Sequence, residues 1–339
     1  MKTISIVTPC FNEADNVEAC HNAVAALFAS GAPLEGYRRE HIFADNDSSD
    51  GTQDILRSLA AADPSTKVIL NARNYGPFRS NFNALRAATG DAFVVFLSAD
   101  LQDPAEMIPE FVKLWESGVE VVAGARVNRQ ESMALRGCRA IFYRTVRSLS
   151  DIDIPLNVGE FQLLDRKVWE AVVSHDDHYP YIRGIIASVG FRRAIVPYTW
   201  AARRSGISKN NLPRLIDQAL NGIFSFTNAP MRLCTFAGVA MAALCLLYAL
   251  ISVCVYVARP ELAPRGTMTL IVALFFLSGI QLAFMGILGE YVTSIHAQVR
   301  KRPLVVERER INMAPVLSTE PAIDNPVHAL QRKLGAEAA

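Results

Sequence analysis

The sequence predicts an α/β domain with a mostly parallel sheet, followed by a pair of membrane-spanning helices. Three observations lead there. Short β-rich runs alternate with helix-patterned stretches from Ile4 to Ala123. Two long uncharged apolar runs lie in the last third of the chain. Of the 339 residues, 51% are hydrophobic, more than a purely soluble chain of this length carries.

Strands are expected over residues 4–8, 42–44, 68–70, 93–97 and 119–123, and helices over 17–30, 55–62, 79–88 and 104–115. The last helix has a start signature: Asp103 is placed to cap, Pro104 fits the first turn and Glu106 closes a capping box. Ligands of such sheets bind beyond the carboxyl ends of the strands, so residues 9–13, 45–50 and 98–103 are expected to converge. All three segments are rich in Asp, Asn or Glu. This first domain is expected to occupy residues 1–211 and to lie in the cytosol.

From Leu212 the apolar positions 212, 215, 216, 219, 220, 223 and 224 form one helical stripe, which predicts an amphipathic juxtamembrane helix over 212–229. A transmembrane hairpin is expected over 230–290, with spans at about 233–258 and 266–289 around a polar turn containing Pro260 and Pro264. Arg300, Lys301 and Arg302 follow the second span, so the charge rule puts both termini in the cytosol. The tail, 291–339, is expected to be partly flexible from Ala314 onward. A second basic stretch, 133–149, carries Arg136, Arg139, Arg144 and Arg147 among apolar residues. It fits a helix on an anionic membrane surface, and equally a helix packed on the domain with a solvated basic face.

Charge and cysteine content exclude other classes. The 34 basic and 33 acidic residues leave a net charge of +1, so nothing draws the whole chain to nucleic acid. The six cysteines show neither a CxxC pair nor regular spacing, which argues against a zinc site or a disulfide framework and fits a reducing compartment. The apolar run after Lys2 is short and ends at Pro9, unlike a signal peptide.

The strongest chemical cluster is Phe96-Leu-Ser-Ala-Asp100-Leu-Gln-Asp-Pro104. A buried strand there delivers Ser98, Asp100 and Gln102 to its carboxyl end, and oxygen ligands suit Mg²⁺ or Mn²⁺ bridging a diphosphate. Asp100 reads as the ligand and Asp103 as the helix cap. Thr8-Pro-Cys-Phe-Asn-Glu13 and Ala44-Asp-Asn-Asp-Ser-Ser-Asp-Gly-Thr52 occupy the same end of the sheet, where Asp50 reads as part of an Asx turn.

Together these segments resemble the "PxYNE", "DDGSxDGT" and "DADLQDP" signatures of inverting family 2 glycosyltransferases, specifically dolichol-phosphate mannose synthases and bacterial polyprenyl-phosphate glycosyltransferases. The likeness continues through Gly124 to Arg129, Arg136, Gly159 to Leu163, Arg203 to Lys209, Gly289-Glu-Tyr291 and Arg302-Pro303. It implies a GT-A, Rossmann-like catalytic domain that transfers a sugar from a UDP- or GDP-sugar to polyprenyl phosphate in a membrane, the bacterial inner membrane among them. It assigns Pro9, Phe11, Glu13, Asp45 and Asp47 to the nucleotide, Asp100 and Gln102 to the metal, and Arg126, Arg129 and Arg136 to the acceptor phosphate. Asp100, Arg126 and Glu160 carry catalysis on this reading, and Arg203, Ser208 and Lys209 complete the matched site. A homo-oligomer, such as a tetramer, is also implied.

Guanidinium forks after a sheet strand suit a phosphate monoester, which agrees with Arg126 and Arg129. Glu160 orients the acceptor or sugar, or else only pairs with a nearby arginine. The sequence departs from the pattern at Ser98, at Asn46 and Asp47, and at Glu160 and Gln162. Alternatives remain a transferase-like membrane scaffold with altered catalysis, a transferase for another lipid or glycan, and a plain nucleotide-binding module. A processive synthase would carry a Gln-x-x-Arg-Trp motif, which is absent. A chain ending near Asn211 is expected to keep nucleotide binding.

Overall fold

The computed structural model describes residues 1–127, 158–199, 229–258, 266–300 and 302–313. The expected alternation opens it: β1 (Thr3–Cys10), α1 (Val17–Leu27), β2 (Arg38–Asp45), α2 (Thr52–Ala62), β3 (Thr66–Asn71) and α3 (Pro77–Ala87). Then come β4 (Ala92–Val94), a 3-10 turn at Ala105–Met107, α4 (Ile108–Glu116) and β5 (Val121–Val127). Four further elements follow that the periodicity did not predict: β6 (Val158–Asp165), α5 (Arg166–Val173), α6 (Ile182–Ser188) and β7 (Arg193–Thr199). Two long helices, α7 (Ala229–Ala258) and α8 (Thr267–Val299), precede a last strand, β8 (Glu307–Ile311).

The strand order is β7-β5-β6-β4-β1-β2-β3-β8. β1 is parallel to β2 and β4, β2 to β3, and β5 to β7. β6 enters antiparallel between β4 and β5, and β8 lies antiparallel on the outer edge of β3. Because successive side chains of a strand point to opposite faces, the sheet builds two cores. Ile4, Ile6 and Phe43 pack with Val17, Cys20, Leu56 and Phe111 of α1, α2 and α4. Val7, Ile42 and Ala44, one residue out of step, pack with Phe82, Leu85, Val168 and Ile185 of α3, α5 and α6. Each such side chain stabilises the fold by about 1.5–3 kcal/mol when fully buried. The helices thereby hold the strands in register and leave their carboxyl ends open for chemistry.

β4 is shorter than the 93–97 run predicts. Its ladder ends at Val94, although the Leu97 N–H still donates to the Val7 carbonyl at 2.8 Å. β8 has no counterpart in the sequence expectations, because Glu-Arg-Glu-Arg-Ile lacks apolar alternation. Its charges suit an exposed edge. Side chains fasten it: Arg57 Nη2 lies 3.0 Å from Glu309, Asn83 donates to Glu307, and Asn312 Nδ2 donates to the Thr66 carbonyl at 2.8 Å.

Within α7 and α8, Leu233–Ala258 and Phe276–Val299 are long and apolar enough to cross a membrane, with mean hydropathy of 2.4 and 1.3. Phe236, Leu246 and Phe276 among others are exposed, as lipid contact requires. The first stretch matches the expected span, whereas α8 continues past residue 289 to Val299. Near its end Gln298 meets the α/β domain: Oε1 accepts from the His178 N–H at 3.0 Å and Nε2 donates to the Asp176 carbonyl. The expected amphipathic helix, apart from Ala229, and the basic stretch 133–149 lie outside the described residues.

Candidate active site

The parallel order sets the ends of β1, β2 and β4 next to one another. Two interlocked turns close the first pair. Asn12 and Asp47 have φ of 55° and 64°, the left-handed region that Asn and Asp tolerate best among residues with a Cβ. The Asn12 N–H donates to Ser48 Oγ at 2.8 Å, and the Ser49 N–H returns to Asn12 Oδ1 at 2.9 Å. The Glu13 N–H donates to Thr52 Oγ1 at 3.0 Å, and the Ala14 N–H to Asp50 Oδ2 at 3.1 Å. Asp50 Oδ1 also accepts from the Thr52 N–H at 3.1 Å, the Asx turn its position predicts.

Asp45 ends β2 and is fully buried. Its Oδ2 accepts from the Ser48 N–H at 3.0 Å and from Gln53 Nε2 at 2.9 Å, while Oδ1 is buried with no hydrogen-bond partner among the described residues. An unmet buried oxygen costs about 1–3 kcal/mol. Burial pushes the Asp45 pKa up, against the hydrogen bonds from Ser48 and Gln53. An acceptor left open in this way suits the N–H of a ligand. Asn46, next in line, donates from Nδ2 to Asn74 Oδ1 at 2.8 Å and accepts at Oδ1 from the Tyr75 N–H at 2.9 Å. An ionised aspartate there could not donate.

The loop after β4 is a strained turn. Leu101 has φ of 54°, which costs a residue of its type about 1–2 kcal/mol. Hydrogen bonds hold it: Leu101 N–H to the Ser98 carbonyl at 3.0 Å, Asp103 N–H to Ser98 Oγ at 3.1 Å, and Gln102 N–H to Asp100 Oδ1 at 3.2 Å. Ser98, one of the departures from the family pattern, thus shapes the loop that carries Asp100. Asp100 is buried and Gln102 half-buried.

Asp103 is not the helix cap that its spacing predicts, and Glu106 closes no capping box. Pro104 precedes the 3-10 turn, which has no side-chain cap. The Asp103 carboxylate turns inward, 1% exposed, and Arg126 Nη2 donates to both its oxygens at 3.0 Å. The Tyr198 hydroxyl donates to Asp103 and accepts from Arg126 Nε at 3.0 Å. Space explains the arrangement. A Cβ on Gly124 would lie 2.8 Å from the Tyr198 ring, and one on Gly159 would lie 3.3 Å from the Arg126 guanidinium. Burial, and then Asp103, raises the Tyr198 pKa.

Glu160 on β6 is half-buried beside this network. Burial raises its pKa, the nearby Arg183 and Arg126 pull it down, and Asp103 raises it. Arg183 on α6 is fixed by Nη1 to the Val158 carbonyl at 3.1 Å and by Nε to the Tyr181 hydroxyl at 2.8 Å. Arg79 on α3 donates to the His178 carbonyl at 2.9 Å and stacks 4.3 Å from the Tyr179 ring centre.

Comparison with known proteins adds the family. Glycosyl transferase family 2 matches residues 5–173, and the GtrB C-terminal hairpin matches residues 229–295. The bactoprenol glucosyl transferase of Shigella phage SfV is 34% identical over 312 residues, which span 91% of this chain and 99% of that protein. The uncharacterized glycosyltransferase YkcC of Bacillus subtilis (strain 168) is 33% identical over 303 residues, 89% and 92% of the two chains. The chain belongs to glycosyl transferase family 2. Among solved structures, the mannosyltransferase PcManGT of Pyrobaculum calidifontis, in complex with GDP-Man and Mn²⁺, is 19% identical. It covers 88% of this chain and 86% of its own, with a TM-score of 0.42.

With the family comes the GT-A architecture expected of this transferase. The structure brings Pro9, Phe11, Glu13, Asp45, Asp47, Asp100 and Gln102 to the ends of β1, β2 and β4. Arg126 and Glu160 lie on β5 and β6, and two nitrogens of the Arg126 fork are engaged by Asp103 and Tyr198. Arg129, Arg136, Arg203, Ser208 and Lys209 lie outside the described residues. Asp103 as a buried counter-ion, Tyr198 and Arg183 escaped the sequence expectations. Arg183 did leave a signal, a lone charge inside Tyr-Ile-Arg-Gly-Ile-Ile.

Proposed function

We propose that this transferase moves a sugar from a UDP- or GDP-linked donor onto polyprenyl phosphate, with inversion, at the cytosolic face of a membrane. One observation carries the reading: a single chain joins an acidic nucleotide-type site to an apolar hairpin, and relatives similar over about nine-tenths of its length are named bactoprenol glucosyl transferases. Asp45 Oδ1 takes a nucleobase N–H, with Pro9, Phe11, Glu13 and Asp47 around the nucleoside.

No group of three His, Cys, Asp or Glu gathers as a metal set among the described residues. Asp100 and Gln102 nevertheless offer hard oxygen donors that fit Mg²⁺ or Mn²⁺, ions that fill their remaining positions with phosphate oxygens and water. When bound there, such a cation supplies charge neutralisation to the diphosphate. An acceptor phosphate with a second pKa of about 6 is already largely dianionic at neutral pH, so it needs no strong base. Its oxygen bonds to the anomeric carbon as the bond from that carbon to the nucleoside diphosphate breaks. Glu160, near Arg183 and Arg126, orients the reacting groups, and Arg126, assigned by the resemblance to the acceptor phosphate, bonds Asp103 and Tyr198 and so also fixes the end of β5. Arg129 and Arg136 are assigned to the acceptor phosphate, with Arg203, Ser208 and Lys209 completing its surroundings. Both termini face the cytosol, which keeps the site on the donor's side of the bilayer.

The test is a screen of UDP- and GDP-sugars with the full chain, polyprenyl phosphate, and Mg²⁺ or Mn²⁺, read by the mass of the lipid product. A lipid-linked sugar with inverted anomeric configuration is expected. Donor hydrolysis alone, or no product from any donor, overturns the proposal.

A further inference from the structure

β8 arrives from beyond the membrane hairpin, yet it lies beside the loop that follows β2. Its pairing with β3 matches Leu70 to Glu309 and then Asn71 to Glu307, so Arg308 is the extra residue of a bulge. A bulge bends its strand and re-aims a side chain, and bulges recur next to active sites. Here the bulged Arg308 points at Asp47: Nη2 donates to Asp47 Oδ1 at 3.0 Å and to the Ala72 carbonyl at 3.2 Å. Asp47 holds φ of 64° within a loop that also carries the carboxylates of Asp45 and Asp50. Arg308 supplies that loop with a positive charge. Its anchors, Arg57 to Glu309, Asn83 to Glu307 and Asn312 to Thr66, hold the strand in a single register.

We infer that Arg308 is a positioning residue of the donor site: it holds the Asp47 turn, so that Asp45 Oδ1 faces the nucleoside. This rests on the donor reading proposed above and extends it to chain beyond the hairpin. The transferase then cannot be divided into a cytosolic domain that binds nucleotide and a hairpin that binds lipid. Only nine residues separate Gln298, which bonds the loop at 176–178, from Arg308. The chain beyond the hairpin is thus tied to the α/β domain at two places, through Gln298 and through β8. A chain ending near Asn211 would lack β8, and on this inference it would bind nucleotide more weakly than the full chain.

The experiment uses the full chain in detergent. Binding of UDP and GDP is measured for the wild type, Arg308→Ala, Arg308→Lys, Asp47→Asn, the Arg308→Ala/Asp47→Asn pair, and Arg57→Ala. Arg308→Ala is expected to weaken nucleoside diphosphate binding about fivefold. It should raise the donor KM to match, with kcat within about twofold of wild type. Arg308→Lys should recover part of the loss, Arg57→Ala, which removes one of several anchors of β8, should show a smaller loss than Arg308→Ala, and Arg308→Ala should add nothing in the Asp47→Asn background. Amide exchange over residues 46–50 of the ligand-free chain should also speed up in Arg308→Ala. Unchanged exchange, or losses that add in the double variant, would overturn the inference. If the wild type bound neither nucleotide, the donor reading would fail, while the exchange measurement would still decide the role of Arg308.

Discussion

The two sides of the site are held by different forces. On the β1–β2 side, hydrogen bonds from backbone N–H groups to hydroxyl, amide and carboxylate oxygens lock two turns, and several bonds share each turn. On the β5–β7 side, Asp103, Arg126 and Tyr198 form one buried charged unit, with Glu160 and Arg183 beside it. A redundant set of bonds at the solvent-facing end of the sheet tolerates the loss of one member. A buried ion pair does not, because removing one partner leaves the other charge without compensation in a poorly solvating interior.

That contrast sets the order of effects. Asp103→Ala strands the Arg126 guanidinium and is expected to cost about 3–5 kcal/mol of stability. Asp50→Ala, on the turn side, should cost only about 0.5–1.5 kcal/mol. Urea unfolding of both variants measures the pair, and equal losses would break the comparison. Asp100→Asn removes the carboxylate assigned to the metal and should lower kcat on the order of 10²–10³-fold with circular dichroism unchanged. Near-normal turnover would remove Asp100 from the site. Asp45→Ala should weaken donor binding about ten- to a hundredfold, the range for a hydrogen bond to a charged group. Equilibrium binding of the donor reports it, and an unchanged Kd would mean that Oδ1 meets no ligand.

The smallest effect is a shift in pH dependence. Burial raises the Glu160 pKa, so as pH falls Glu160 takes up its proton before an ordinary glutamate does. Activity that needs its carboxylate should therefore fade at a higher pH than the usual carboxylate range predicts. Arg183 lowers that pKa, so Arg183→Ala should move the enzyme's acid limb of kcat/KM further up, and in Glu160→Gln only the limb of the acceptor phosphate itself should remain. An acid limb that stays put in Arg183→Ala would leave Glu160 a structural residue only.

Much of the β1–β2 side was legible because its signals are local. Period-2 apolar runs mark β1 to β3, and the Asn, Asp, Ser and Gly of 12–16 and 45–52 mark turns whose chemistry is set within a few residues. Even there a substitution needed the fold to explain it. Asn46 looks like a weakened aspartate until Asn74 and Tyr75 show that it must donate as well as accept.

By itself the sequence determined the alternating α/β order, the apolar hairpin and the three acidic segments beyond the strand ends, since each follows from the period or composition of a short stretch. Only the tertiary structure decided which partner each charge would meet. Asp103 has the local pattern of a helix cap, yet Tyr198, 95 residues away, and the space left by Gly124 and Gly159 draw it into a buried ion pair. Arg308 lies in a charged stretch with no strand period, and only the free edge of β3 makes that stretch a strand and brings the arginine to Asp47. Long-range pairing of this kind depends on strand order and on room between side chains, and neither is encoded in any one segment.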